Sequence, residues 1–504
     1  MWQKKSKQFL YQILICGVFV QLLIFIFVFR TTDVKVEEPI FHDHDSTNNF
    51  MNVCSLPVYD YWHPKVMRYV DYDFDPTVSC DKNFKPFTRL VDGKWEVVEE
   101  KRGMNCSARK PTKPLKNPDA PNVFVFLFDS MSTGLAKRSF PKTLSALSSR
   151  LEAVEFPFVN KVGENSQPNG MALWFGKLIE PIMGRNYGGS DMKVDWEKEV
   201  YCRNHLNHSI FEDFQNEGFM GFAEAPTHHY MHPFQMVYEK FGTNITKNHL
   251  KGALCREGRH AAFEYFQQFT EIGSVEMNNP YLSISIPKKL RQKSQAVLEI
   301  MRQNSRKLQT HFDTRATILD ILKYQPAASF TNRTLLEISG ERGHSYLRRQ
   351  PSLPRTCGRL PIQPEYCICQ VEKVTVVDEN LRNRLGILLI DHIHDLLDAA
   401  NFSSMCEKFE FRETTSLLHY GHTNHSETSH NYEITVMADA PSFAQFQTIL
   451  KHNKKTSQVS FGNIVRLDRY GKTGDCTNNN KYEKMCFCKG MTAMQRWWHR
   501  FEKW

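Results

Sequence analysis

No period of 20 to 50 residues recurs along this 504-residue chain, which sets aside solenoids and propellers. Nor does any basic helix carry interleaved aromatics. The formal net charge of +9 is spread out, in pairs such as Lys288-Lys289 and Arg348-Arg349, so nucleic acid is not the expected partner. Charge is missing altogether from Phe9 to Phe29, a run long enough to cross a hydrocarbon core as a helix. No small-x-small cleavage site follows that run, so it reads as an uncleaved anchor rather than a signal peptide.

What is there agrees with an anchor. Lys4, Lys5 and Lys7 precede the run, while Asp33, Glu37 and Glu38 follow Arg30. The positive-inside rule then puts residues 1–8 in the cytoplasm and 9–29 in the membrane. The bulk is luminal, in the Golgi or secretory pathway, or extracellular: a single-pass type II protein. Of 13 cysteines only Cys16 lies in the run, and the even number beyond it suits an oxidising compartment. Six N-x-S/T sequons, at Asn105, Asn207, Asn244, Asn332, Asn401 and Asn424, point to the same place. The Cys-x-Cys pairs 367/369 and 486/488 are expected in disulfides rather than on zinc. With 41% hydrophobic and 24% charged residues the rest is globular, large enough for one big domain with additions or for two.

Residues 30–110 read as a stalk and a cysteine-containing lead-in, and the Pro- and Lys-rich stretch 110–122 as a linker. Strand and helix then alternate over 111–340. "VFVFLF" (123–128) has the continuous apolar run of a strand buried on both faces. "SFPKTLSALSSRL" is a helix and "VEFPFVNKVG" a second strand. Pro168 sits in the first turn of a helix through "PNGMALWFGKLI". Next come an amphipathic helix ended by Gly218, a strand "FMGFAEA", a helix "HAAFEYFQQFTEI", a strand "PYLSISIP" and a helix "HFDTRATILDILKY". The order predicts an α/β fold, a mostly parallel sheet flanked by helices. Residues 341–504 change texture. A cysteine-rich turn, a long helix "LRNRLGILLIDHIHDLLDAA" and antiparallel strands "YEITVMA" and "VSFGNIVRLDRY" predict a disulfide-tied α+β region.

The first strand ending in Asp129, followed 37 residues later by Ser166 in "VGENSQPNGMALWFG", resembles the alkaline phosphatase and sulfatase superfamily. Within it the chain is similar to a membrane-anchored, sulfatase-like family catalogued as domain of unknown function 229. "FPKTLSAL", "HFDTRATILDIL", "PRTCGRLPI" running into "YCIC" and the tail through "VRLDRYG" carry the likeness over roughly 53–490. The resemblance implies a two-metal phosphoryl or sulfuryl transfer site with zinc, calcium or magnesium. Asp129 would hold a metal at the carboxyl edge of the sheet. Ser166 would be the nucleophile at a helix N-terminus, and Asn169 would touch the transferred group.

The remaining metal ligands of that superfamily come from a later strand ending in Asp-His. Here Ile272 runs almost directly into Glu276, and the segment is missing. No substitute is evident. In "DHIHD", His392 and His394 are two apart on a helix and point in different directions. "PTHHYMHP" (226–233) is a loop, and His344 reads as structural. One Asp and one Ser cannot hold a divalent ion tightly. The expectation is a catalytically impaired member that binds a partner, an anionic glycan or a phosphate or sulfate ester. The rival is a metal-dependent hydrolase or transferase using Ser166.

Overall fold

The computed structural model describes residues 50–52, 54–58, 60–67, 88–91, 94–97, 115–117, 121–128, 131–164, 166–182, 191–195, 209–218, 272–294, 296–421, 429–468, 473–477 and 480–490. The apolar run 9–29, "FMGFAEA", "PTHHYMHP", most of "HAAFEYFQQFTEI" and Asp129 lie outside them. Among the described residues no helix is long and apolar enough to cross a membrane. The architecture is mixed α/β, with a parallel strand pair near the candidate site and a C-terminal antiparallel sheet tied by disulfides.

In the lead-in, β1 (Thr88–Val91) and β2 (Lys94–Val97) form an antiparallel hairpin. Helix α1 (Thr133–Ser139) starts where Ser132 Oγ accepts the Leu135 N–H at 2.9 Å, satisfying an otherwise orphan donor. Pro141 opens α2 (Pro141–Leu151), which buries none of its residues. The stretch expected as one strand is two, β3 (Val154–Glu155) and β4 (Val159–Asn160). Pro157 lies between them, where a missing N–H interrupts a ladder. The next helix, α3 (Ser166–Phe175), carries Pro168 in its first turn as expected. Helix α4 (Ile210–Asn216) ends at Gly218, which adopts φ +88.

After the described residues resume, α5 (Ile272–Asn278) leads to β5 (Ser283–Ile284), which pairs antiparallel with β3. Helices α6 (Lys288–Lys293) and α7 (Ala296–Ser305) follow, then β6 (Gln309–Thr310), parallel to β4. Helix α8 (His311–Leu319) opens with a capping box between Thr310 and Asp313 and continues as a π-helical turn, Asp320–Tyr324. One core joins Val154, Phe156, Met301 and Tyr346; another packs Met171, Trp174 and Phe175 of α3 on Ile318 and Leu319 of α8.

"VFVFLF" is where the expectation fails. Residues 123–128 form no strand, and Phe124 and Phe126 are 78% and 79% exposed. Val123 alone of the six packs on the α3 core. A run apolar on both faces holds as a strand only between two neighbours that complete its ladder and cover it. No strand among the described residues pairs with it.

The C-terminal region follows expectation closely. Strand β7 (Lys373–Thr375) precedes α9 (Glu379–Ala399), whose first turn is capped by Asp378 Oδ1 accepting the Leu381 N–H at 3.1 Å. Leu385, Leu389, Ile393 and Leu397 make one apolar stripe. The stripe lies on β8 (Phe411–Tyr420), β9 (Ser429–Ala438) and β10 (Gln445–Asn453), burying Leu417, Ile434, Val436, Phe446 and Leu450. Strands β11 (Val459–Phe461) and β12 (Val465–Arg466) both pair with β10, and the sheet order is β11-β10-β9-β8-β7. Disulfides Cys406–Cys486 and Cys476–Cys488 tie the end of the chain to this layer, and Cys357–Cys367 closes the turn region.

Cys54–Cys369 spans 315 residues and ties the lead-in to the same turn region. Long loops closed in this way restrict the unfolded chain most. Replacing both cysteines with alanine is expected to lower stability by about 2–4 kcal/mol, read as the urea midpoint under non-reducing conditions. An unchanged midpoint would mean that packing alone holds the lead-in.

Candidate functional site

Of the site residues singled out by sequence, Asn169 is the one whose side chain is described, at the loop between β4 and α3. Asn169, in the first turn of α3, reaches back over it: its Oδ1 accepts the Val162 N–H and its Nδ2 donates to the Gly163 carbonyl, each at 2.8 Å. Gly163 has no room for a side chain, because a Cβ there would fall 2.5 Å from Glu180 Oε2 and 2.6 Å from Pro168. Ser166 is the first residue of α3, and its side chain lies outside the described residues, as does Asp129. Asn169 is therefore engaged in shaping the loop.

Beneath the loop lies a set of ionisable groups that no local motif announces. Glu180 Oε2 accepts from Gln363 Nε2 at 3.3 Å and from the Glu164 N–H at 3.4 Å. Burial, with the Glu164 charge second, pushes the Glu180 carboxyl up to about 7. Glu365 is raised by burial too, and its Oε1 is buried with no hydrogen-bond partner. The Lys161 ammonium lies 4.6 Å from the centre of the Tyr366 ring. Burial lowers its pKa, while Glu164, Glu180 and Glu365 oppose the shift. Burial raises the Tyr366 phenol in turn, with the Glu180 charge next. Of these groups Glu180 is the one whose proton is held near neutral pH.

The pH dependence has a definite sign. Folded Glu180 holds a proton up to about pH 7, whereas the unfolded side chain releases it near 4.5. Its contribution to stability is present below the lower value and is lost as pH rises through the window. Glu180→Gln is expected to flatten the decline in urea midpoint between these two values. An unaltered slope would show that other groups cause it.

Two further clusters of buried ion pairs stand apart from this set. Arg138 Nη1 donates to Glu276 Oε1 at 2.8 Å and to the Tyr61 carbonyl at 3.0 Å, and Ser132 Oγ donates to the other Glu276 oxygen. A Cβ on Gly134 would overlap Glu276 Oε1, so α1 and the residues after 272 interlock. Thr133 N–H and Tyr281 N–H complete the seam, donating to the Asn279 and Met131 carbonyls. In the second, Asp313 accepts from the Thr310 and His344 N–H groups at 2.8 Å and from Arg355 at 2.5 Å. Asp320 pairs with Arg348 at 2.9 Å and accepts from Ser345. Burial pushes His311 down to about 4, against the pull of Asp313.

The histidines weighed from sequence serve packing where they are described. His392 stacks on Phe461, with ring centres 4.8 Å apart, and His394 Nε2 accepts the Phe409 N–H at 3.1 Å. His344 donates its backbone N–H to Asp313. Among the described residues, the sets of three donor atoms close enough to share an ion are Cys357, Cys367, Cys369 and Cys406, Cys476, Cys486. All six are disulfide-bonded. The described donors around α3 do not fit a divalent ion: Asn169 is committed to the loop backbone, and Glu180 is set to hold a proton.

Glu180, Glu365 and Lys161 had no sequence signal, since residues 161, 180 and 365 come together only through the fold. A family model described as "Protein of unknown function (DUF229)" matches residues 77–272 and 270–415. The two segments overlap at residues 270–272, the place where the superfamily's later ligand segment is expected. No curated protein matches the chain.

Proposed function

The chain belongs to the DUF229 family, and we propose from that premise a catalytically impaired, sulfatase-like type II membrane glycoprotein that acts as a binding protein. The exposed run Phe124–Phe128 carries this reading. An aspartate at the end of a strand can position an ion only if the strand is locked in a sheet. Here the residues leading to Asp129 are in solvent rather than in a sheet.

Three other observations support it. The family match breaks at residues 270–272, and the helix that follows is occupied by the Arg138–Glu276 pair. Asn169, which the alkaline phosphatase and sulfatase likeness would aim at substrate, is bonded to the loop. The sequon residue Asn401 is exposed, at the end of α9, in keeping with a glycosylated luminal or extracellular face. The rival reading, a metal-dependent phosphoric or sulfuric ester hydrolase with Ser166 as nucleophile, is favoured by the position of Ser166 at the first turn of α3.

The partner class is an anionic glycan, or another phosphate or sulfate ester, matched to the net charge of +9. The test is retention of the purified protein on immobilised heparin and on the desulfated polymer. Retention on the sulfated polymer that weakens steeply with salt is the expected result. Equal passage through both columns at low salt would reject an anionic-glycan partner.

A further inference from the structure

Two disulfides, Cys54–Cys369 and Cys357–Cys367, meet in the core of the turn region. The Sγ atoms of Cys357 and Cys369 belong to different disulfides, yet they lie 3.5 Å apart, in contact. Cys357 and Cys369 are 1% and 7% exposed, whereas their partners Cys367 and Cys54 are each half-buried. Each disulfide thus has one residue that solvent reaches and one that it barely reaches, and the two hidden sulfurs face each other.

A thiolate opens a disulfide by attacking one sulfur while the other leaves as a thiolate, and access decides which sulfur is attacked. Attack on Cys54 leaves the electron pair on Cys369, 3.5 Å from Cys357. Attack on Cys367 leaves it on Cys357, at the same distance from Cys369. Either entry leads to one product, in which the hidden sulfurs are bonded and the accessible ones are free.

We propose that these four cysteines form a disulfide-exchange switch, worked by a dithiol, that unties the lead-in by moving its bond to Cys357–Cys369. A thiolate of the dithiol attacks Cys54 Sγ, and the Cys54–Cys369 bond breaks. The Cys369 thiolate attacks Cys357 Sγ, forms the new bond and expels Cys367, which takes a proton from water. The second thiol of the dithiol then closes on the first and releases Cys54 as a thiol. In sum the dithiol is oxidised by two electrons to its disulfide, and the protein gains thiols at Cys54 and Cys367.

Among the described residues, Cys54–Cys369 is the disulfide that joins the lead-in to the later chain. Without it, the contacts that remain include the Gln370 N–H donating to the Ser55 carbonyl and the Gly358 N–H donating to the Met51 carbonyl, each at 2.8 Å. The C-terminal disulfides lack this arrangement. There the 3.6 Å sulfur contact joins Cys486 to Cys476, and Cys476 is the exposed residue of its own disulfide. Attack on it expels Cys488, which is not the sulfur in contact.

The test titrates the untagged, full-length protein in detergent with dithiothreitol until the four cysteines take up their first labels. Free thiols are alkylated, and the chain is digested in acid for mass spectrometry. The first labels should fall on Cys54 and Cys367, with the Cys357 and Cys369 peptides joined. Label on Cys54 should exceed that on Cys369 about tenfold. In Cys357→Ser/Cys367→Ser, which removes the acceptor disulfide, Cys54 and Cys369 should be labelled equally. Amide hydrogen exchange at Gly358 and Gln370 should quicken in the singly reduced parent protein. Labels on Cys54 and Cys369 with Cys357–Cys367 intact, on Cys357 and Cys367 with Cys54–Cys369 intact, or on all four at once would overturn the switch. Unchanged amide exchange would overturn the untying of the lead-in.

Discussion

Asp313→Ala is expected to destabilise the folded chain by about 3–5 kcal/mol, because it strands a buried guanidinium. Arg355, 6% exposed at its side chain, would lose the carboxylate 2.5 Å away. The Thr310 and His344 N–H groups would lose the same acceptor. The capping box that starts α8 would go with it. Urea unfolding of the non-reduced protein measures the change. A loss under about 1 kcal/mol would mean that water replaces the carboxylate, and that the Asp313 web is not a support of the α8 core.

Glu276→Ala should cost a similar amount, about 3–5 kcal/mol, for the same physical reason. The Arg138 and Glu276 side chains are 5% and 0% exposed, and the glutamate also accepts from Ser132. Glu276→Ala leaves an uncompensated charge against α1. Pairing the change with Arg138→Met removes the charge as well, so the double variant should be more stable than Glu276→Ala alone. A double variant as unstable as the sum of its parts would show the two residues acting independently. This pair matters beyond stability, because it occupies the ground directly after the break in the family match.

Much of the local structure was legible because local rules act alone there. Pro168 in a first turn, Gly218 at a helix end, the apolar stripe of α9 and the alternating strands of the C-terminal sheet needed only neighbours in sequence. Pairing of the Cys-x-Cys motifs as disulfides followed from composition; that Cys54 joins Cys369 did not, since partners 315 residues apart are chosen by the fold. The apolar run 123–128 misled for a physical reason. Hydrophobicity states what a strand needs around it, not whether the chain supplies it, and here Phe124 and Phe126 remain in solvent. The residue Pro157 was visible in "VEFPFV" and its break between β3 and β4 could have been read.

The candidate site was legible only in part. Asn169 was picked out from "SQPN", but its service to the loop backbone became visible through Val162 and Gly163. Glu180 and Glu365 carried no signal, being 185 positions apart and joined only in space.

The most direct measurement is turnover of aryl phosphate and aryl sulfate by the purified protein, with and without Zn2+, Ca2+ or Mg2+, beside Ser166→Ala. A catalytically impaired member should give no metal-dependent rate, and Ser166→Ala should be indistinguishable from the parent. Turnover that requires the ion and disappears in Ser166→Ala would contradict that reading and restore Ser166 as a working nucleophile.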